Sequence, residues 1–196
     1  WAMAPSASTE LPAAARQQLL DIARASIRHG LEKTQRLPVD TQRLPGALLW
    51  QRGVFVTLTI DSRLRGCIGN MQPDGPLARS VAETAFKAAF RDPRFPALES
   101  EELPGTRIEI SVLSPTEALP AKNREHLLQQ LVPGVDGLLL QDGRQRATFL
   151  PKVWEQLPLA EQFLEQLLHK AGLPADHWSN TLSFQRYYTT CFSESG

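Results

Sequence analysis

The chain has 196 residues, 42% of them hydrophobic and 21% charged, which suits one substantial core that can be split into two lobes. Lysines plus arginines equal aspartates plus glutamates at 21 each, so there is no overall basic field of the kind that grips duplex DNA. Two cysteines do not make a disulfide framework, nothing resembles a C-x-x-C pair or a His/Cys metal cluster, and no apolar run nears the ~18 residues of a membrane helix. A reducing cytoplasm is the simplest setting, with no metal, no cofactor and no signal peptide expected. Trp1-Ala2-Met3 is expected to include a cloning scar, with Met3 as the natural start.

Residues 12 to 29 predict an amphipathic helix, since Leu19, Leu20, Ile22, Ala23 and Ile27 recur at helical spacing and Gly30 can end it. A long connection with Pro38, Pro45 and Gly46 leads to a strand over 54–60. There Val54, Val56, Leu58 and Ile60 share one face, and Phe55, Thr57 and Thr59 the other. Asp61 to Leu64 can turn the chain back. Asp74-Gly75-Pro76 signals a helix start, and 77–91 places Leu77, Val81, Ala85 and Ala88 on one stripe before Asp92-Pro93 stops it. Residues 106–113 alternate as a strand with Ile108, Ile110 and Val112 inward.

After Ser114-Pro115 the character changes. A short helix over 123–131 precedes strands over 136–141 and 144–150, joined by the hairpin signal Asp142-Gly143. Helices over 151–157 and 160–171 follow, the second closed by Gly172 and Pro174, and a last extended run spans 182–192. This pattern is α+β.

The chemistry centres on Leu64-Arg65-Gly66-Cys67-Ile68-Gly69. If the stretch is extended, Arg65 and Cys67 share a face and Leu64, Gly66 and Ile68 take the other. An arginine beside a thiol favours the thiolate, and the flanking glycines leave room for a backbone or a ligand. Cys67 reads either as a nucleophile or as a small apolar filler, because free cysteine is often buried. Arg65 has three readings: an anion receptor, a tuner of Cys67, or half of a salt bridge across the lobes. Asp92-Pro93-Arg94-Phe95 reads as a helix stop with an anchoring phenylalanine. Lys87 and Arg91 read as a solvated face. None of His29, His126, His169 and His177 is a nameable base for Cys67, and Cys191 reads as core. No lysine and helix start follow Gly66-Cys67-Ile68-Gly69 directly, so a phosphate loop is not indicated.

Leu64 to Gly69 resembles the signature of the AMMECR family, known in prokaryotes as AmmeMemoRadiSam system protein A. Gly53-Val54-Phe55-Val56-Thr57-Leu58, Asp92-Pro93-Arg94-Phe95, Ile108-Glu109-Ile110-Ser111-Val112-Leu113, Gly134-Val135-Asp136-Gly137-Leu138, Phe149-Leu150-Pro151 and Lys170-Ala171-Gly172-Leu173 follow in the family's order. The resemblance covers roughly residues 15 to 193. It implies a single two-lobed α+β domain. The larger lobe, about residues 1–114 plus 181–196, has an antiparallel sheet flanked by helices; the smaller α+β lobe is inserted over about 115–180. A cleft between them is lined by the hexapeptide.

Two functions follow as expectations. In the first, the cleft binds a substrate or partner polypeptide, or an RNA segment, through Leu64, Arg65, Gly66, Cys67, Ile68, Gly69, Asp92 and Arg94. A Memo-like protein and a radical-SAM protein are then its implied associates. In the second, Cys67 is a catalytic nucleophile and Arg65 holds an anionic substrate group, with the glycine N–H groups stabilising negative charge.

Overall fold

The computed structural model describes residues 10–195, so Trp1-Ala2-Met3 lies outside the described residues. The chain divides into two compact units. One holds the residues up to Leu113 together with those from Thr190, and the other runs from Ser114 to Thr189.

The first unit begins with α1 (Ala13–Lys33), followed by the hairpin of β1 (Val54–Ile60) and β2 (Arg63–Asn70), then α2 (Leu77–Phe90) and β3 (Thr106–Leu113). The last strand of the first sheet is β8 (Thr189–Ser193), and the strand order is β2-β1-β3-β8. β1 pairs antiparallel with both neighbours. Its inward residues Val54, Val56 and Leu58, with Ile108 and Ile110, form one core cluster with Leu19, Ala23 and Ile27 of α1 and Val81, Ala85 and Ala88 of α2. Each fully buried aliphatic side chain of this kind is worth roughly 1.5–3 kcal/mol, which is why two helices stay on one sheet face.

Gly30 does not end α1. The helix runs three residues further, to Lys33, and Thr34 at φ 59° closes it in the left-handed region. Gly30 is instead where α1 meets aromatic side chains of α2: a Cβ there would stand 2.4 Å from the Phe90 ring. Arg24 on α1 joins the first unit's two chain segments. Its guanidinium donates to both carboxylate oxygens of Glu194 (2.5 and 2.7 Å) and to the Thr106 and Leu103 carbonyls.

The second unit holds β4 (Glu117–Ala118), α3 (Arg124–Gln130), β5 (Gly137–Asp142), β6 (Gln145–Phe149), α4 (Ala160–Lys170) and β7 (Leu182–Tyr187). Its sheet has the order β4-β7-β5-β6. The stretch expected as a helix over 151–157 is a 3₁₀ turn, Pro151–Glu155, which seats Trp154 flat on Phe163 with ring centroids 3.8 Å apart. The indole N–H donates to the Asp136 carbonyl at 2.7 Å. Tyr187 is fully buried over Gly137, and its hydroxyl pairs with Thr148 and donates to the Phe149 carbonyl. That burial pushes its pKa up to about 12.

The final run is two strands, not one. β7 pairs with β5 and β4 in the second sheet, and only β8 returns to the first. The boundary expected near residue 180 therefore falls at Thr189/Thr190. Tyr188 marks the break, where the backbone N–H donates to the Ser114 hydroxyl and the carbonyl accepts from the Ser114 N–H, each at 2.8 Å.

Gly66 on β2 is pressed against α2, for a Cβ there would lie 2.1 Å from the backbone carbonyl oxygen of Ala88. Because that obstacle is backbone, Gly66→Ala is expected to lower the unfolding free energy by about 3 kcal/mol. Gly46→Ala, where nothing stands within 4 Å, is the matched control. Urea titrations with equal midpoints for the two variants would contradict this account.

Candidate functional site

The local geometry of the hexapeptide starts at its turn. Ile60 pairs with Arg63 across Asp61-Ser62, whose φ angles of 51° and 63° suit a two-residue hairpin. Thr59 faces Leu64, but Leu58 faces Gly66, so Arg65 is an extra residue opposed to nothing. An unbulged hairpin from the same turn would set Cys67 opposite Val56, in the core. The bulge instead sets it opposite Thr57, on the outer face of the sheet.

This corrects the expected alternation. Leu64, not Arg65, shares the outer face with Cys67. Gly66 and Ile68 face the core, where Ile68 packs against the main cluster. Arg65 turns to Glu102, donating through Nε at 2.8 Å and Nη2 at 3.0 Å, with its side chain 11% exposed. Its Nη1 is buried without a hydrogen-bond partner. The salt bridge is thus the observed state of Arg65, and it lies within the first unit. Glu102 also accepts from the Glu99 N–H, and the Arg65 pairing together with that bond holds its carboxyl below the usual range.

Of the two expected uses of the room at the glycines, a close backbone or a ligand, the protein's own backbone takes it at Gly66 and a side chain takes it at Gly69. The Ala88 carbonyl occupies it at Gly66, and the Phe55 ring covers Gly69, where a Cβ would sit 2.1 Å from a ring carbon.

Asp92 and Arg94 close the outer edge of β2. The buried Asp92 carboxylate accepts from the Cys67 N–H (2.9 Å), from the Arg94 N–H (3.0 Å), and from Arg94 Nε and Nη2 (3.0 and 2.7 Å). Arg94 Nη2 also donates to the Cys67 carbonyl at 3.2 Å. Cys67 and Thr57 therefore form a non-hydrogen-bonded pair, the kind in which side chains approach closest. The Thr57 hydroxyl lies 3.3 Å from Cys67 Sγ. The Arg94 side chain is 54% exposed while that of Asp92 is 2% exposed, so the pair turns its positive end outward. Hydrogen bonds from Arg94, then from the Cys67 and Arg94 N–H groups, hold the Asp92 carboxyl far below the usual carboxylate range. Asp92 in turn raises the Arg94 pKa, with a smaller contribution from the nearby Cys67. Both Arg65 and Arg94 approach the Phe95 ring, at 5.9 and 5.5 Å.

Two residues of this face escape sequence reasoning. Thr57 lies opposite Cys67 on one side and Glu109 on the other, so Cys67, Thr57 and Glu109 form one row across three strands. The alternation of β1 would have found Thr57 had the bulge been readable. Lys87 is paired with Glu83 on α2. Cys191 is exposed rather than core, with Ser111 Oγ 3.2 Å from its sulfur. His177 is unlike the other histidines, since its Nε2 lies 2.6 Å from Asp142. Thr181, Ser179 and His177 together lower the Asp142 pKa to about 2, and the cluster ties the loop before β7 to the β5–β6 hairpin. Among the described residues no group of three or more His, Cys, Asp and Glu side chains could hold a metal, and no helix is long and apolar enough to cross a membrane.

Asp92→Asn is expected to destabilise the fold by about 2–4 kcal/mol at pH 7, because charge-assisted hydrogen bonds to a buried acceptor are lost. The folded-state pKa is depressed, so this stabilisation is complete above the unfolded aspartate value of about 3.9 and declines as pH falls below it. Denaturant midpoints measured from pH 7 to acid should converge for the two proteins, and a constant gap would contradict the assignment.

The family model described as AMMECR1 matches residues 20–192. A protein of Methanothermobacter thermautotrophicus is 39% identical over 186 residues, covering 91% of this chain and 93% of its own. One from Nanoarchaeum equitans is 36% identical, covering 82% and 89% respectively. The crystal structure of an uncharacterized protein from Pyrococcus horikoshii superposes with a TM-score of 0.82 at 32% identity, covering 90% of each chain.

Proposed function

Because the chain belongs to the AMMECR1 family, with the hexapeptide inside the matched span, we propose that the outer face of its first sheet is a substrate- or partner-binding face. Cys67 and Arg94 are its focus. The observation that carries this reading is the half-exposed Arg94 guanidinium, fixed by buried Asp92 against the Cys67 backbone beside a partly exposed thiol. A preset cation of this kind receives an anionic group without first losing its own conformational freedom. Leu64, 44% exposed on the same face, supplies an apolar contact. That combination suits a polypeptide carrying a carboxylate. In this reading Arg94 takes the receptor role, Arg65 braces Glu102, and Asp92 positions the clamp. The AmmeMemoRadiSam protein A role belongs to the same proposal: the bound polypeptide would be one that a Memo-like and a radical-SAM protein act upon.

A second reading keeps Cys67 as a nucleophile. Thr57 favours it, as a hydroxyl within reach of the thiol with Glu109 next in the row.

Paired alkylating agents test the binding reading directly. Iodoacetate carries a carboxylate and iodoacetamide is its neutral counterpart. In a Cys191→Ser background, the iodoacetate-to-iodoacetamide rate ratio at Cys67 should fall roughly threefold to tenfold in Asp92→Asn/Arg94→Gln, which removes the cation and its buried partner together. A ratio unchanged by that double substitution would remove Arg94 as the receptor. Cys67→Ser that retains ligand capture would favour binding over catalysis.

A further inference from the structure

A second surface of the first unit lies away from the hexapeptide. The C-terminal end of α1, the irregular segment after it and the outward side of α2 enclose an open groove. Four cations line it: Lys33, Arg36, Arg79 and Arg91, and no carboxylate does. Arg36 pairs with Glu83 beyond the lining. Lys33, Arg79 and Arg91 are exposed, and among the described residues no ion pair engages them. The whole chain is formally neutral, so gathering four cations here leaves the remaining surface net acidic. Such a local excess of positive charge draws anions to this groove.

Arg79 on α2 and Arg91 at its C-cap stand twelve residues apart, about 18 Å of helical rise. A single phosphate or carboxylate cannot reach both, so the groove suits anionic groups in series. The lining also holds apolar side chains, Leu37, Pro38 and Val39, and the half-buried ring of Phe86. Arginines spaced along a groove whose lining includes a half-buried aromatic ring match a sugar–phosphate strand whose bases are free to stack. An acidic polypeptide fits less well, because the walls are helical and irregular chain and offer no free strand edge to pair with its backbone. A duplex has its bases already stacked and unavailable to Phe86.

We propose that this groove binds single-stranded RNA, its phosphates received by Lys33, Arg79 and Arg91 and a base laid on Phe86. The surface is independent of the Cys67–Arg94 face, and either assignment stands without the other.

The experiment is a fluorescence-anisotropy titration of the full chain with labelled oligouridylate of about ten nucleotides. Three phosphates neutralised on a single strand predict a log–log salt slope of about −2. Arg79→Glu/Arg91→Glu should weaken binding at least about tenfold. Both side chains are exposed and unpaired, and circular dichroism should show the fold kept. Arg144→Glu/Arg146→Glu, an equal charge change on exposed positions of the second unit, should alter affinity by less than about twofold. Absence of binding at low salt, or equal loss in both double variants, overturns the proposal. An oligoglutamate of equal charge that binds as tightly reassigns the groove to acidic polypeptides, and a duplex of equal length that binds more tightly rejects the single strand.

Discussion

One surplus residue in β2 governs the chemistry of the first unit. A strand has a side-chain period of two, so any register change of one residue exchanges its faces. Arg65 is that change. Upstream of it the hairpin is in the phase set by Asp61-Ser62; downstream the phase is reversed, and a cysteine that would have been core becomes a partly exposed thiol on the outer face. A β-bulge costs ladder hydrogen bonds and needs support from outside the strand pair. Here the support comes from three places: the Ala88 carbonyl seated on Gly66, Glu102 holding Arg65, and Asp92 with Arg94 holding the Cys67 backbone.

These supports explain the ordering of burial and charge. Asp92 is an acceptor with four hydrogen bonds and almost no solvent contact, so its charge persists because the Arg94 side chain and the Cys67 and Arg94 N–H groups face it. Arg94 is the member of the pair that keeps access to water. The same arrangement blunts the edge of the first sheet at Cys67, since the N–H and C=O that would invite another strand are already engaged. A ligand of this face meets side chains, not a free ladder. On the far side of α2 the helix serves a different surface, so one element braces the thiol through its backbone and offers cations through its exposed side chains.

What could be read in advance follows the range of the forces involved. Strands β1 and β3 and helices α2 and α4 were legible because their periodicity is local and their burial one-sided. The hairpin at Asp142-Gly143 was legible from its turn chemistry. Gly30 misled because a glycine needed for close packing looks the same as one that ends a helix. The bulge was hidden because no residue type announces it, and the face assignments of Leu64 and Arg65 failed with it. Asp92 was recognised as a helix stop, while its bond to Cys67, 25 residues earlier, depends on how α2 lies on the sheet. The division of the last run at Tyr188 was equally invisible, because no glycine, proline or other turn signal separates β7 from β8, which differ in the sheet that receives them.

The two crossings of the chain between units, at Leu113/Ser114 and Thr189/Thr190, have a consequence for biosynthesis. The first sheet is completed by β8, and Glu194 locks Arg24 only after every residue of the second unit has been made. On the ribosome the second unit, though later in sequence, has all its strands before the first does. Until β8 is made, the first sheet lacks its fourth strand and the edge of β3 has no partner, the kind of open edge that invites pairing with another chain.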